Sequence, residues 1–116
     1  MIELEKVYDA YSPEDLVILS INVDPRDTLS IIQDFIPEYE QQYQVEINWI
    51  MGKDEDGSIW EKYQLEDGGI PTLYIFDQEG KIHFSHEGLV IYKDIPSWWT
   101  ISDEPVRLSK YIDELL

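Results

Sequence analysis

The chain has 116 residues, a length that suits one domain whose folding hides roughly two-thirds of the unfolded surface. It carries 25 Asp and Glu residues against 8 Lys and Arg, giving a formal net charge of −17, and it has no cysteine. The charge disfavours nucleic acid and anionic membranes as partners, and the lack of cysteine excludes a disulfide, a thiolate metal site and a cysteine nucleophile within these residues.

No stretch of the sequence has the apolar length of a membrane span, which needs roughly 18 residues. Residues 1–5 lack the basic region and apolar core of a signal peptide. The sequence as given therefore predicts a soluble, cytoplasmic chain.

The first half of the chain alternates helix and strand patterns. Residues 2–11 have apolar side chains at helical spacing but no capping residue in front, which predicts a helix that begins further upstream. Residues 16–23 are apolar on both faces and predict a core strand covered by helices on both sides. Residues 29–43 predict a second helix, which Pro37 should kink or break into two shorter pieces near Ile36. The alternating residues 45–50 predict a short strand.

The second half begins with an acidic turn, residues 53–57, and a capping-box spacing at Ser58 that predicts a short helix. Pro71 turns the chain into a strand over residues 72–76, and a turn over residues 77–80 joins it to an antiparallel strand over residues 81–86.

A long connection without a single period follows at residues 88–104. Pro105 at a first helical position predicts a last helix. The order of helices and strands predicts an α/β sandwich with a mixed sheet flanked by helices.

Several segments, in this order, carry a resemblance to a known fold: Glu3-Leu4-Glu5-Lys6-Val7-Tyr8, Ile21-Asn22-Val23-Asp24, Gly69-Ile70-Pro71-Thr72, Asp77-Gln78-Glu79-Gly80-Lys81-Ile82 and Gly88. On these segments the chain resembles the thioredoxin fold, and within it the thiol-disulfide oxidoreductases of the TlpA and ResA type. The resemblance implies a single thioredoxin-like domain over residues 1–116, incomplete at its N-terminus, with an insertion at residues 89–104 before the C-terminal helix.

The resemblance also implies a substrate site at Ile70, Pro71 and Thr72. Pro71 would be the cis-proline that faces the active site, and the backbone of Ile70 would pair with an extended segment of a disulfide-bearing protein or peptide. The resemblance implies no cofactor. The Cys-x-x-Cys of that family would lie just upstream of Met1, and without it this chain performs no thiol-disulfide exchange.

The strand that precedes the Cys-x-x-Cys in that family, at the centre of the sheet, is missing as well. Its absence would leave an edge of each of the strands at 16–23 and 72–76 unpaired. These edges either pair with each other, accept a strand from a second molecule or stay exposed as an aggregation hazard, and the hypothesis we take forward is a homo-oligomer formed through them.

Three further patterns have ordinary structural interpretations. His83 and His86 point to opposite faces of a straight strand, so they do not chelate one metal ion, and no metal site is predicted. Residues 54–59 are similar to the centre of a calcium loop, but Gly52 and Tyr63 stand where its first and last carboxylates belong, so a turn that caps the next helix is favoured. Residues 24–27 suit a turn and a helix cap better than paired acid and base carboxylates.

The aromatic cluster Tyr92, Trp98 and Trp99 lies in the segment that the resemblance does not explain. Either both tryptophans fold back over the sheet and complete its core, or they bind a partner.

Two functions remain open. The first is a thioredoxin-like domain of an oxidoreductase whose dithiol lies upstream. The second is a redox-silent binding module that uses the groove at Pro71 or the Trp98-Trp99 segment.

Overall fold

A computed structural model describes residues 2–64 and 71–116 of the chain. The chain divides into two compact units, Met1–Tyr63 and Gln64–Leu116. No helix among the described residues is long and apolar enough to cross a membrane. The prediction of one domain over residues 1–116 stays a prediction.

The first unit contains helices and a parallel strand pair, in the order α1 (Ile2–Ala10), β1 (Leu19–Asn22), α2 (Leu29–Tyr43), β2 (Ile50–Lys53) and α3 (Ser58–Tyr63). The strands pair in parallel from Leu19 opposite Ile50 to Asn22 opposite Lys53. The buried apolar residues of this unit are Val7, Ile32, Val45, Ile47 and Trp49.

Helix α2 begins where the sequence predicts. The Thr28 hydroxyl accepts a hydrogen bond from the Ile31 amide at 3.2 Å and so caps the helix. The helix continues through Pro37, so a break into two helices is wrong. Proline removes one amide donor, but Ile32 before it is buried, and the Tyr39 ring after it contacts the rings of Phe35 and Tyr43 in the same helix.

Strand β1 is shorter and more exposed than the predicted core strand. On one face of the β1–β2 pair, the Trp49 indole donates to the Ser20 hydroxyl at 3.0 Å, and the Trp49 ring lies 6.0 Å from that of Tyr8 in α1. On the opposite face, Leu19 and its partner Ile50 are 57% and 60% exposed. The prediction of helices on both faces of this strand is therefore wrong for Leu19.

The alternating segment before β2 is buried on one side. Val45, Ile47 and Trp49 are buried, while Glu46 and Asn48 between them are exposed. The strand β2 is Ile50–Lys53, so the prediction of a strand over residues 45–50 is wrong for all of that segment except its end.

The second unit begins with the predicted hairpin, β3 (Thr72–Phe76) and β4 (Ile82–Glu87). The strands pair antiparallel, with an irregularity between Ile75 and Phe76. In the turn, one Asp77 carboxylate oxygen accepts the amides of Glu79 and Lys81, both at 2.9 Å, and Gly80 has φ +82°. Only glycine adopts that φ readily, which explains its position. The hairpin prediction is confirmed.

The C-terminal part of this unit contains a second parallel pair, β5 (Val90–Ile91) and β6 (Val106–Arg107), followed by α4 (Leu108–Asp113). The last helix therefore begins after a strand and not at Pro105, and that prediction is wrong. The buried residues of α4 are Leu108, Ser109 and Ile112, and Ile91 of β5 is fully buried as well.

The α/β class is confirmed by this arrangement. The described strands form three two-stranded pairings, β1 with β2, β3 with β4, and β5 with β6. The single mixed sheet and the missing central strand stay predictions.

Candidate functional site

The predicted substrate site lies where the chain enters β3. Pro71 is exposed, and its carbonyl accepts a hydrogen bond from the Gly88 amide at 2.8 Å. Thr72, the next residue, pairs with Glu87 at the end of β4. Gly88 has φ +108°, a conformation that other residues rarely adopt, and this lets the chain leave β4 while still bonded to Pro71. Ile70, and with it the bond predicted to be cis, lies outside the described residues.

The aromatic cluster occupies the loop between β5 and β6. The rings of Trp98 and Trp99 lie 5.7 Å apart at 59°, so the structure brings the two tryptophans together. Trp98 is 43% exposed, and the interpretation in which both tryptophans complete a core is therefore wrong for Trp98. Tyr92 stands at the base of the loop, where its carbonyl accepts the Ser109 amide at 3.0 Å.

The turn after β1 shows why its carboxylates suit a structural role. Arg26 donates two guanidinium hydrogen bonds to Asp24, at 3.0 and 2.8 Å, and this interaction lowers the pKa of Asp24 to about 2. Asp27 accepts the Asn22 side-chain amide at 2.9 Å. A carboxylate with so low a pKa holds no proton near neutral pH, so Asp24 is a poor general acid or base.

The acidic turn before α3 caps that helix, as predicted. The two carboxylate oxygens of Asp54 accept the amides of Ile59 at 3.2 Å and Trp60 at 2.9 Å. Asp56 accepts the amide of Ser58 at 3.0 Å, and hydrogen bonding by Ser58 lowers the pKa of Asp56. Asp54 is only 6% exposed, so the turn is less solvated than the sequence implied.

Comparison with known protein families matches residues 1–85 to the AhpC/TSA family. The chain belongs to the AhpC/TSA family. This is a thioredoxin-like peroxiredoxin family, so membership supports the thioredoxin-like resemblance and indicates a redox or peroxidase-type function. Curated proteins gave no match, and neither did solved structures.

The AhpC/TSA match includes some of the predicted site residues and leaves out others. Pro71 and Thr72 lie within it, whereas Tyr92, Trp98 and Trp99 lie beyond its end at Ser85. The hairpin thus belongs largely to the part of the chain that the family explains, and the aromatic loop does not.

The two histidines of the AhpC/TSA chain, His83 and His86, contact different residues. His83 falls at the irregularity in β4, and its Nε2 lies 3.7 Å from a carboxylate oxygen of Glu114. His86 pairs with Leu73, and its ring stacks near that of Phe84 at 6.3 Å. No group of metal-ligating side chains occurs among residues 2–64 and 71–116.

The sequence analysis missed two exposed isoleucines in the loop that carries Trp98. Ile95 and Ile101 are 54% and 48% exposed in the same loop. The signal was present in the sequence, since a large apolar residue recurs at every third position in a segment that fits no helix or strand. The sequence analysis also missed Arg107, whose guanidinium contacts both Glu104 and the carbonyl of Lys93.

Proposed function

We propose that this chain supplies the substrate-facing part of a thiol-disulfide oxidoreductase domain of the TlpA and ResA type. The observation that carries the proposal is Pro71: it is exposed, stands directly before β3, and lies within the AhpC/TSA match. Attack on a disulfide requires a thiolate, and these 116 residues contain no cysteine. In this proposal the dithiol is contributed by residues upstream in a longer polypeptide.

The role of Pro71 in this function is to present a rigid, exposed surface to the substrate. Its ring fixes φ, and its carbonyl is held by the Gly88 amide, so the chain at this point has little freedom to move. An extended segment of a disulfide-bearing protein would pair with the backbone of Ile70, as in the family that the chain resembles. The upstream thiolate would then attack the substrate disulfide and form a mixed disulfide.

The absence of cysteine favours a second candidate, a redox-silent binding module. In this function the groove at Pro71 or the Trp98-Trp99 segment holds a peptide or protein, and no thiol is needed. The two candidates predict different coding sequences: the first requires an in-frame Trp-Cys-x-x-Cys directly upstream of Met1, and the second requires a stop codon there.

The activity test uses the longer polypeptide if that reading frame exists. Insulin reduction should proceed with the longer polypeptide, and peroxide consumption measured in parallel tells disulfide reduction from peroxidase activity. Pro71→Ala should slow insulin reduction, whereas Pro96→Ala, a proline outside the family match, should not. Equal rates for the two variants would contradict the role of Pro71, and peroxide consumption without insulin reduction would contradict the oxidoreductase type.

We also propose that the chain self-associates through the edges of β1 and β3. Within the described part of the chain, β1 pairs with β2 alone and β3 pairs with β4 alone. A solution mass of a single chain at high concentration, measured by light scattering, would contradict this proposal.

A further inference from the structure

The loop at residues 93–105, called here the tryptophan loop, has a closed base. The strands that flank it, β5 and β6, pair in parallel. The Arg107 side chain joins the two ends of the loop, because its Nε donates to the Lys93 carbonyl at 2.9 Å while its guanidinium contacts the Glu104 carboxylate. A loop whose two ends are joined by hydrogen bonds holds its side chains in a defined arrangement.

The interior of the tryptophan loop is organised around Trp99. Its backbone amide donates to the Pro96 carbonyl at 3.0 Å, and its indole nitrogen donates to the Asp103 carbonyl at 3.4 Å. Trp99 therefore bonds to both halves of the loop and forms a support on which the neighbouring ring of Trp98 rests.

The tryptophan loop exposes its large apolar side chains to solvent. Ile95, Trp98 and Ile101 are all exposed, although the loop that carries them is tied together by its own hydrogen bonds. Exposed apolar groups on an organised loop are typical of interaction surfaces, and tryptophan is among the residues most enriched at binding hot spots.

The charge around these side chains decides what kind of partner fits. The tryptophan loop carries Lys93 against the exposed carboxylates of Asp94, Asp103 and Glu104, and the whole chain has a net charge of −17. The tryptophan loop of a second copy, or an anionic membrane, would bring like charges together at this surface, which is unfavourable. A basic surface would instead be attracted.

We propose that the tryptophan loop binds a protein segment in which basic residues flank apolar ones, with Trp98 as the central contact. The apolar residues of the partner pack on Trp98, and its basic residues face Asp94 and Asp103. This binding is independent of the proposed redox function, since the loop lies beyond the family match and needs no thiol.

The test measures binding of the full chain to a dye-labelled peptide of alternating Lys and Leu by fluorescence anisotropy. Trp98→Ala should weaken binding by roughly tenfold or more, the loss typical of a hot-spot residue. Leu89→Ala is the matched control, because Leu89 is 52% exposed in the same unit but lies outside the loop. It should change the dissociation constant by less than about twofold, the range of a neutral contact. Neither substitution alters the net charge, so a difference between them is not general attraction to an acidic protein.

Two more variants define the contact. Trp98→Tyr keeps an aromatic ring and should restore most of the affinity that Trp98→Ala loses. The double variant Asp94→Asn and Asp103→Asn should weaken binding and reduce its dependence on salt. Circular dichroism of each variant should match the unsubstituted chain, since all these side chains lie at the surface.

Three outcomes would overturn the proposal. The first is an unchanged dissociation constant for Trp98→Ala, and the second is equal binding of a matched Glu and Leu peptide. The third is that the chain binds neutral phosphatidylcholine vesicles and not the peptide, and that Trp98→Ala abolishes the binding to vesicles. That result would assign the loop to a lipid surface.

Discussion

Replacing Asp54 by alanine removes both side-chain acceptors at the start of α3. The amides of Ile59 and Trp60 lose the carboxylate oxygens that they contact at 3.2 and 2.9 Å. The Asp54 backbone amide, which donates to the Asn22 carbonyl at 2.9 Å, stays in place, so the substitution tests the side chain alone.

The expected loss of unfolding free energy is about 2 kcal/mol. Removing a helix cap costs about 1 kcal/mol, and a hydrogen bond to a charged group contributes roughly 1.5–3 kcal/mol. Two such bonds are lost, but Ile59 is exposed, so water replaces part of what its amide loses. Helix α3 has 6 residues and is too short to form without such support.

Urea unfolding measures this loss. With an m-value of about 2 kcal/mol per molar, the midpoint should fall by roughly 1 M while m stays unchanged. Asp54→Asn keeps one acceptor oxygen and should lose about half as much. The exposed neighbour Glu55 provides the control, since Glu55→Ala should change stability by less than about 0.5 kcal/mol. A midpoint for Asp54→Ala equal to that of Glu55→Ala would refute the capping role.

Other expectations concern single side chains in both units. Thr28→Ala should lower stability by about 1 kcal/mol in urea unfolding, whereas Thr28→Ser should not, because serine keeps the capping oxygen. Arg26→Gln should raise the pKa of Asp24 from about 2 towards its ordinary value, which NMR titration measures. In the unsubstituted chain the lowered pKa stabilises the fold above about pH 4, and this stabilisation should disappear as the pH falls towards 2. Ile91→Ala should cost about 2–5 kcal/mol, because Ile91 is fully buried, and a loss below about 1 kcal/mol would show that the residue is not in a core. Calcium chloride should leave the melting temperature unchanged, since both carboxylate oxygens of Asp54 already accept backbone amides; a higher melting temperature with calcium would contradict this.

Features that depend on a few neighbouring residues were predictable. The hairpin at residues 77–80 forms because an aspartate accepts nearby amides and a glycine takes positive φ. The start of α2 follows from the hydroxyl of Thr28. The substrate site was predictable only as a position, Pro71 before a strand, and its hydrogen bond to Gly88 depends on the register of two strands.

Features that depend on distant packing were not predictable. Pro105 suits the first turn of a helix, yet the residues after it pair with β5, and the helix begins only after that pairing. Apolar residues on both faces of a strand do not indicate which face is packed more closely. The structure places Trp49 against Ser20 on one face of β1 and leaves Leu19 on the other face exposed.

By itself, the sequence determined the acidity of the chain, its lack of a thiol and the local turns and caps, because these properties reside in composition or in residues close along the chain. Only the tertiary structure decided that Asp54 is buried as a cap, and that Trp98 is exposed while Ile91 of β5 is buried. Burial and exposure depend on which distant segments pack together, and no local pattern contains that information.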